Sequence, residues 1–175
     1  MIDGKVLMVV AHPDDETIFG YSQLENKETM VVCVTNGGNE IRSGEFHKVL
    51  NGENIEHEIW DFEDKWDGGF DLCIVDRLLP LVNRFPVILT HNSQGEYGHT
   101  QHIELNRIIK SLKPWEMWTF GIGKRPLPFG ILHRKLQRLS EYSSQLQLNA
   151  FDWVNGVDEH KSIMNYVVSE KYEKQ

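Results

Sequence analysis

The sequence predicts a layered α/β fold with a mostly parallel sheet. Short, continuous apolar runs rich in β-branched residues recur at 6–11 (VLMVVA), 29–35 (TMVVCVT) and 87–90 (VILT). Such runs read as strands buried on both faces, as in a parallel sheet. Segments with helical spacing alternate with them, which is the pattern of a layered α/β domain. All three strands also run out directly into polar, chemically capable loops, beginning at His12, Asn36 and His91. In open α/β sheets ligands collect beyond the carboxyl ends of the strands, so these loops are expected to meet in one cleft.

In chain order, residues 14–25 have helical spacing, with Ile18, Phe19, Tyr21 and Leu24 as core contacts. The stretch NGGN at 36–39 is a tight turn. Residues 42–55 predict the next helix and 57–62 a weaker strand. Residues 66–70 form a loop with paired glycines. Residues 71–85 are apolar and roughly helical, with Pro80 predicting a break or kink. Residues 91–98 are a polar loop. Residues 99–111 have strong helical periodicity, with Ile103, Leu105, Ile108 and Ile109 apolar. A further strand is expected at 115–120 and a helix at 134–147. Asn155 and Gly156 mark a turn. Residues 160–173 are expected to form a short helix or a strand with a charged tail. No internal repeat or low-complexity tract interrupts this order.

The chain's 175 residues, 40% of them hydrophobic, suit one domain spanning 1–175. The formal net charge of −8 argues against nucleic acid as a partner, because a negative surface repels phosphate backbones. The mildly basic stretch 124–138 is diluted by Pro, Gly and Leu. Cys33 and Cys73 each lie in an apolar run and read as buried thiols in a reducing compartment. The first residues lack a leader layout, and no apolar stretch is long enough to cross a bilayer, so the cytoplasm is the expected location. The oligomeric state cannot be read from the sequence.

After the first strand comes His12-Pro13-Asp14-Asp15-Glu16, four ionisable residues in five positions. Pro13 suits a helix start, and the helix dipole favours carboxylates in the first turn. An acidic helix cap accounts for one or two carboxylates but not for His12 as well. The functional reading is half of a metal site. His12 supplies an imidazole nitrogen and Asp15 a carboxylate oxygen, a combination suited to zinc or iron(II). Asp14 need not ligate and is placed to act as a general base toward water. Glu16 either supports the site from behind or caps the helix.

The stretch 91–102 reads HNSQGEYGHTQH. His99 and His102 are three positions apart at a helix start and share a face. One of them can complete a triad with His12 and Asp15. The other can stabilise a developing oxyanion as an imidazolium, or protonate a leaving amine. His91 reads as a buried, hydrogen-bonded loop histidine. Glu96 and Tyr97 read as loop-orienting or substrate-contacting groups, and Gly95 and Gly98 serve backbone geometry. His47, His57, His133 and His160 lack supporting neighbours and read as structural. Trp66, Trp115 and Trp118 read most plainly as core residues. No glycine-rich phosphate loop follows the first strand, which argues against nucleotide binding.

AHPDDE (11–16), placed after the first strand, resembles the signature of the LmbE/PIG-L family of zinc-dependent N-acetylglucosaminyl deacetylases. GEYGHTQH (95–102) resembles that family's second metal motif, and TNGGNEIR (35–42) its glycine-containing loop lining the sugar pocket. SEYSSQ (140–145) is similar to a region near the C-terminal end of many members. The resemblance implies a Rossmann-like three-layer α/β/α fold with the active site at the strand C-termini. It implies that His12, Asp15 and His102 are metal ligands and that Asp14 is the general base. His99 would then assist the carbonyl oxygen and leaving group. Arg42, the loosest match, would bind substrate. The implied cofactor is Zn2+, with Fe2+ as the alternative. The implied reaction is hydrolysis of the N-acetyl group of an N-acetylglucosamine-type sugar or conjugate, releasing acetate. Two readings stay open beside it: a hydrolase of another small-molecule amide or ester on the same metal site, and a non-catalytic metal- or sugar-binding domain. One departure stands out. Many members carry an acidic residue between the two histidines where this chain has Gln101, which cannot hold charge against an imidazolium.

Overall fold

The computed structural model describes residues 1–65, 69–146 and 158–175. Six strands form one sheet: β1 (Val6–Val10), β2 (Thr29–Thr35), β3 (Glu56–Phe62), β4 (Val87–Thr90), β5 (Glu116–Gly121) and β6 (Lys171–Lys174). Their order across the sheet is β3-β2-β1-β4-β5-β6. The first five strands are parallel, and β6 pairs antiparallel on the edge of β5. Strand β1 is central and every one of its residues is buried, as its unbroken apolar run requires.

The helices are α1 (Asp15–Gly20), α2 (Glu40–Glu53), α3 (Cys73–Arg84), the single turn α4 (Gly95–Gly98), α5 (Thr100–Ser111), α6 (Phe129–Leu139), α7 (Ser143–Leu146) and α8 (Asp158–Val168). Alternate residues of β1 point into two separate cores. Val6, Met8 and Val10 pack with Phe19, with Phe46, Val49 and Leu50 of α2, and with Tyr142 and Tyr166. Leu7, Val9 and Ala11 pack with Ile74, Leu78 and Val82 of α3 and with Leu105 and Ile109 of α5. The sheet is therefore the middle layer of an α/β/α sandwich, as the sequence predicts. Among the described residues, no helix is long and apolar enough to cross a membrane.

Several expectations are corrected. Pro80 lies inside α3 without ending it. It sits on the exposed side of the helix, where water can satisfy the carbonyl that loses its partner. The helix expected at 134–147 begins earlier, after Pro128, and stops at Leu139. The chain turns there, and Tyr142 re-enters the core. The loop at 91–98 contains α4, within which Glu96 has φ 58° and Tyr97 is non-helical. Cys33 is buried as expected, but Cys73 is exposed at the start of α3. The tail is both a helix and a strand. Trp118 packs against the core. Trp115 is exposed beside Asn83, Phe85 and Pro86, before β5 begins and so at the end of the sheet opposite the strand C-termini. Trp66 and the turn expected at 155–156 lie outside the described residues.

Candidate metal centre and active site

The chain order reverses between β1 and β4, which are adjacent in the sheet. A crevice beyond the carboxyl ends of such a pair is where this architecture places ligands. His12 follows β1 and His91 follows β4. The loop after β2 is drawn in as well, because Thr35 donates through both its N–H and its hydroxyl to the Ala11 carbonyl. The three strand exits thus converge as expected.

Asp15 and His12 are set by the helix start. The backbone N–H of His12 donates to Asp15 Oδ2 at 2.8 Å. On the other side, His99 caps α5, its Nδ1 accepting the Gln101 N–H at 3.3 Å, and His102 falls in the first turn of that helix. Three atoms then face one another. His12 Nδ1 is 3.2 Å from His102 Nε2. Asp15 Oδ2 is 3.4 Å from His12 Nδ1 and 3.3 Å from His102 Nε2.

The far side of each ring fixes its tautomer. His102 Nδ1 lies 2.7 Å from Glu96 Oε2 and must donate to it. His12 Nε2 lies 3.0 Å from Gln101 Oε1 and 3.3 Å from Asp64 Oδ1, both acceptors. The orientation of the Gln101 amide is itself fixed: its Nε2 donates to the Glu63 carbonyl and its Oε1 accepts the Lys65 N–H. In their neutral forms His12 and His102 would turn lone pairs toward Asp15 Oδ2. Three buried acceptors converging on one point require a positive charge there. Burial disfavours a charged His12, yet the hydrogen bonds and charges of Asp15 and Asp64 outweigh it and hold the ring at about 10. Burial likewise opposes ionisation of Asp15, but His102, His12 and His91 hold its carboxyl well below the usual range. Two imidazole nitrogens and one carboxylate oxygen, with the rings anchored from behind, fit a divalent cation.

Two further histidines have metal-ligand spacing, in the sets His12–His99–His102 and Asp15–His91–His102. His91 is fully buried and its Nε2 accepts the Ala11 N–H at 3.0 Å, so that lone pair is already in use. Its Nδ1 donates to Glu96 at 2.9 Å, and the ring stacks on His102 at 3.7 Å. His91 is thus the structural histidine expected. His99 lies 4.7 Å from the His12 ring and 4.6 Å from the His102 ring. Burial and the neighbouring histidines lower its pKa to about 4. With Nδ1 accepting the Gln101 N–H, a neutral His99 ring carries its proton on Nε2.

Asp14 is the N-cap of α1 with a left-handed φ of 111°. Burial and the charges of Asp15 and Glu16 raise its carboxyl well above the usual range, against the opposing charge of Arg42. Glu16 is fully buried and accepts the Asp14 N–H at 3.1 Å, the Thr17 hydroxyl at 2.5 Å and the Tyr142 hydroxyl at 2.6 Å. It therefore supports the site from behind. Asn39 caps α2 and places Arg42 in its first turn. There Arg42 donates to Asp64 Oδ2 at 2.9 Å and to the Pro13 carbonyl at 3.3 Å, and its buried Nε has no hydrogen-bond acceptor among the described residues.

Glu96 is not positioned for substrate. Its side chain is fully buried and binds His91, His102 and the Asn92 N–H. Burial opposes its charge, but the two histidines depress its pKa to about 2. Tyr97 is partly buried, edge-on to His99 and His102. Asp64 was not singled out from the sequence. It lies just past the end of β3, and the rule that sites form beyond strand ends would have found it had that strand been read with more weight.

The model of the GlcNAc-PI de-N-acetylase family, PIG-L, matches residues 7–113. This chain belongs to that family. An uncharacterised protein of Acanthamoeba polyphaga mimivirus is 35% identical over 161 residues, covering 79% of this chain and 71% of that protein. A probable N-acetylglucosaminyl-phosphatidylinositol de-N-acetylase of Dictyostelium discoideum is 26% identical over 131 residues, covering 64% of this chain and 50% of that protein. The PIG-L chain also shares its fold with the N,N'-diacetylchitobiose deacetylase of Pyrococcus horikoshii, at a TM-score of 0.70, 12% identity, and 98% and 83% coverage of this and that chain. The 4-carboxy-2-hydroxymuconate hydratase GalB of Pseudomonas putida aligns with a TM-score of 0.63, 14% identity, and 98% and 96% coverage. A deacetylase and a hydratase thus share the architecture, so the fold alone does not select the reaction.

Proposed function

We propose that this PIG-L chain, as one domain over 1–175, is a metal-dependent hydrolase that removes the N-acetyl group from an N-acetylglucosamine-type sugar or sugar conjugate. The observation that carries this reading is the triangle of His12 Nδ1, Asp15 Oδ2 and His102 Nε2, with edges of 3.2–3.4 Å. We assign these three as ligands of a divalent cation. Zn2+ is the ion that two histidines and a carboxylate suit, with Fe2+ as the alternative. When bound, the ion supplies Lewis-acid polarisation and a more acidic water.

The chain's own groups supply the rest. Asp14, next to a ligand, takes a proton from the attacking water as it adds to the acetamide carbonyl. His99 donates its Nε2–H to the oxygen that becomes negative, as a neutral donor. The protonated Asp14 then returns its proton to the departing amine, so acetate and a free amino sugar leave. Arg42, held between Asp64 and the Pro13 carbonyl, is the residue we assign to substrate binding. Both cysteines are free, which supports a reducing compartment such as the cytoplasm.

The test is metal content of gently purified protein, together with acetate release from a panel of N-acetylhexosamine derivatives with and without chelator. One bound ion and chelator-sensitive acetate release are expected. A bound ion with no acetate from any N-acetylated sugar would move the reading to another acyl group.

A further inference from the structure

Two acceptors meet the outer nitrogen of His12. Gln101 Oε1 is 3.0 Å away and Asp64 Oδ1 is 3.3 Å away. The amide is neutral, and its orientation is locked by Glu63 and Lys65. His102 is held differently, because its outer N–H donates to the buried carboxylate of Glu96 at 2.7 Å. A carboxylate behind a ligating imidazole fixes the ring and raises its basicity, and such partners strongly affect metal affinity. Asp64 is the charged group that can do this for His12. It is not a loosely placed surface residue: Oδ2 accepts from Arg42 at 2.9 Å and from Asn36 at 3.0 Å. One carboxylate thus ties a metal-facing histidine to the loop after β2 and to the first turn of α2.

We infer, on the strength of the metal-centre reading above, that Asp64 is a positioning residue for His12, supplying the carboxylate that Gln101 at the same nitrogen cannot. The division of labour is asymmetric. Gln101 is fully buried and fixes direction. Asp64, with a side chain 36% exposed, supplies charge from the solvent side.

The experiment measures Zn2+ affinity of the purified chain by competition with a chromophoric chelator, for wild type, Asp64→Asn, Asp64→Ser and Asp64→Asn/Gln101→Glu. The double variant moves the carboxylate to an isosteric position on the same His12 nitrogen. Both single variants are expected to weaken Zn2+ binding by about tenfold or more, with circular dichroism and thermal midpoints of the zinc-free proteins unchanged. The double variant is expected to recover most of the loss. Wild-type affinity in Asp64→Asn and Asp64→Ser overturns the assignment. So does a loss that the double variant fails to recover. A raised KM at saturating Zn2+ with unchanged Zn2+ affinity also overturns it, and would make Asp64 a substrate contact. Failure of the wild type to bind Zn2+ is a separate result, which overturns the metal-centre reading itself.

Discussion

The backbone of Asp14 sits at φ 111°, a region rarely occupied by residues other than glycine. It is held there by its surroundings: Glu16 accepts its N–H, and Thr17 and Ile18 donate to its carbonyl. Asp14→Asn is expected to keep the metal and lose turnover by about 10²–10⁴-fold, whereas His12→Ala loses both. Metal analysis beside an acetate assay separates the two, and metal-dependent turnover retained in Asp14→Asn would remove the base assignment. Glu16→Ala leaves the Asp14 N–H and the Tyr142 hydroxyl without their acceptor inside the protein. We expect it to cost about 1–3 kcal/mol in urea unfolding. Turnover should also fall in the metal-loaded protein as Asp14 drifts from its position. At this scale the sequence was legible in which residues the fold gathers: His12, Asp15, His99 and His102 meet beyond the strand exits with Asp14 beside them. It was misleading at Glu96, since an acidic residue in a polar loop looks like a substrate contact until the fold buries it behind two histidines. The electrostatic surroundings of His99 could not be read either, because they include His12 and Asp15, which are far away in the chain.

Helix α6 is joined to α1, to α8 and to the linker before β6 by one buried cation. Lys135 Nζ donates to the Ile18 carbonyl, the Tyr166 carbonyl and Glu170 Oε1 at 2.7, 2.8 and 2.7 Å. Lys135→Met removes these and leaves Glu170, among the described residues, with Ser22 and Tyr172. Breaking one partner of a buried pair is expected to cost about 3–5 kcal/mol. Burial lowers the Lys135 pKa although Glu170 opposes it. The folded state then releases this proton before the unfolded state does, so its contribution to stability rises with pH from the lowered value up to 10.5, the ordinary lysine value. The stability gap between wild type and Lys135→Met should therefore widen across that window in pH-dependent melts. Gly37→Ala is a second prediction at this scale. A Cβ there would stand 2.9 Å from the Trp60 backbone carbon and oxygen, so the loop after β2 must move away from β3. Arg42 and Asp64 lie along that seam, and a rise in KM larger than any fall in thermal midpoint is expected. The strands β2 and β4 matched their apolar runs residue for residue, because burial on both faces leaves no ambiguity. The turn α4, the early start of α6 and the return of Tyr142 to Glu16 were not legible. Each depends on tertiary partners rather than on local period.

For the whole molecule, the two cores on either side of β1 and the crevice at the strand exits followed from the alternation of elements alone. The edge strand β6 did not, since its residues Lys171–Lys174 are largely exposed and carry little apolar signal. Loading the site links ion concentration to stability. Zn2+ at 100 times its Kd should stabilise the fold by about 2.7 kcal/mol, raising the thermal midpoint by roughly 5–10 °C for a chain of this length. A chelator should reverse the shift in scanning fluorimetry, and a midpoint indifferent to Zn2+ would count against the site. The spacing of the ligands also has a consequence for synthesis. His12 and Asp15 leave the ribosome early, while His102 follows 90 positions behind His12. At about 5–20 residues per second that is a delay of roughly 5–20 s. Through most of it the nascent chain carries a two-toothed, low-affinity half-site next to a strand whose β4 neighbour has not yet been made. On the proposed ligand set, tight binding is expected only after His102 has been made, and a stalled fragment ending in α3 should be blind to metal.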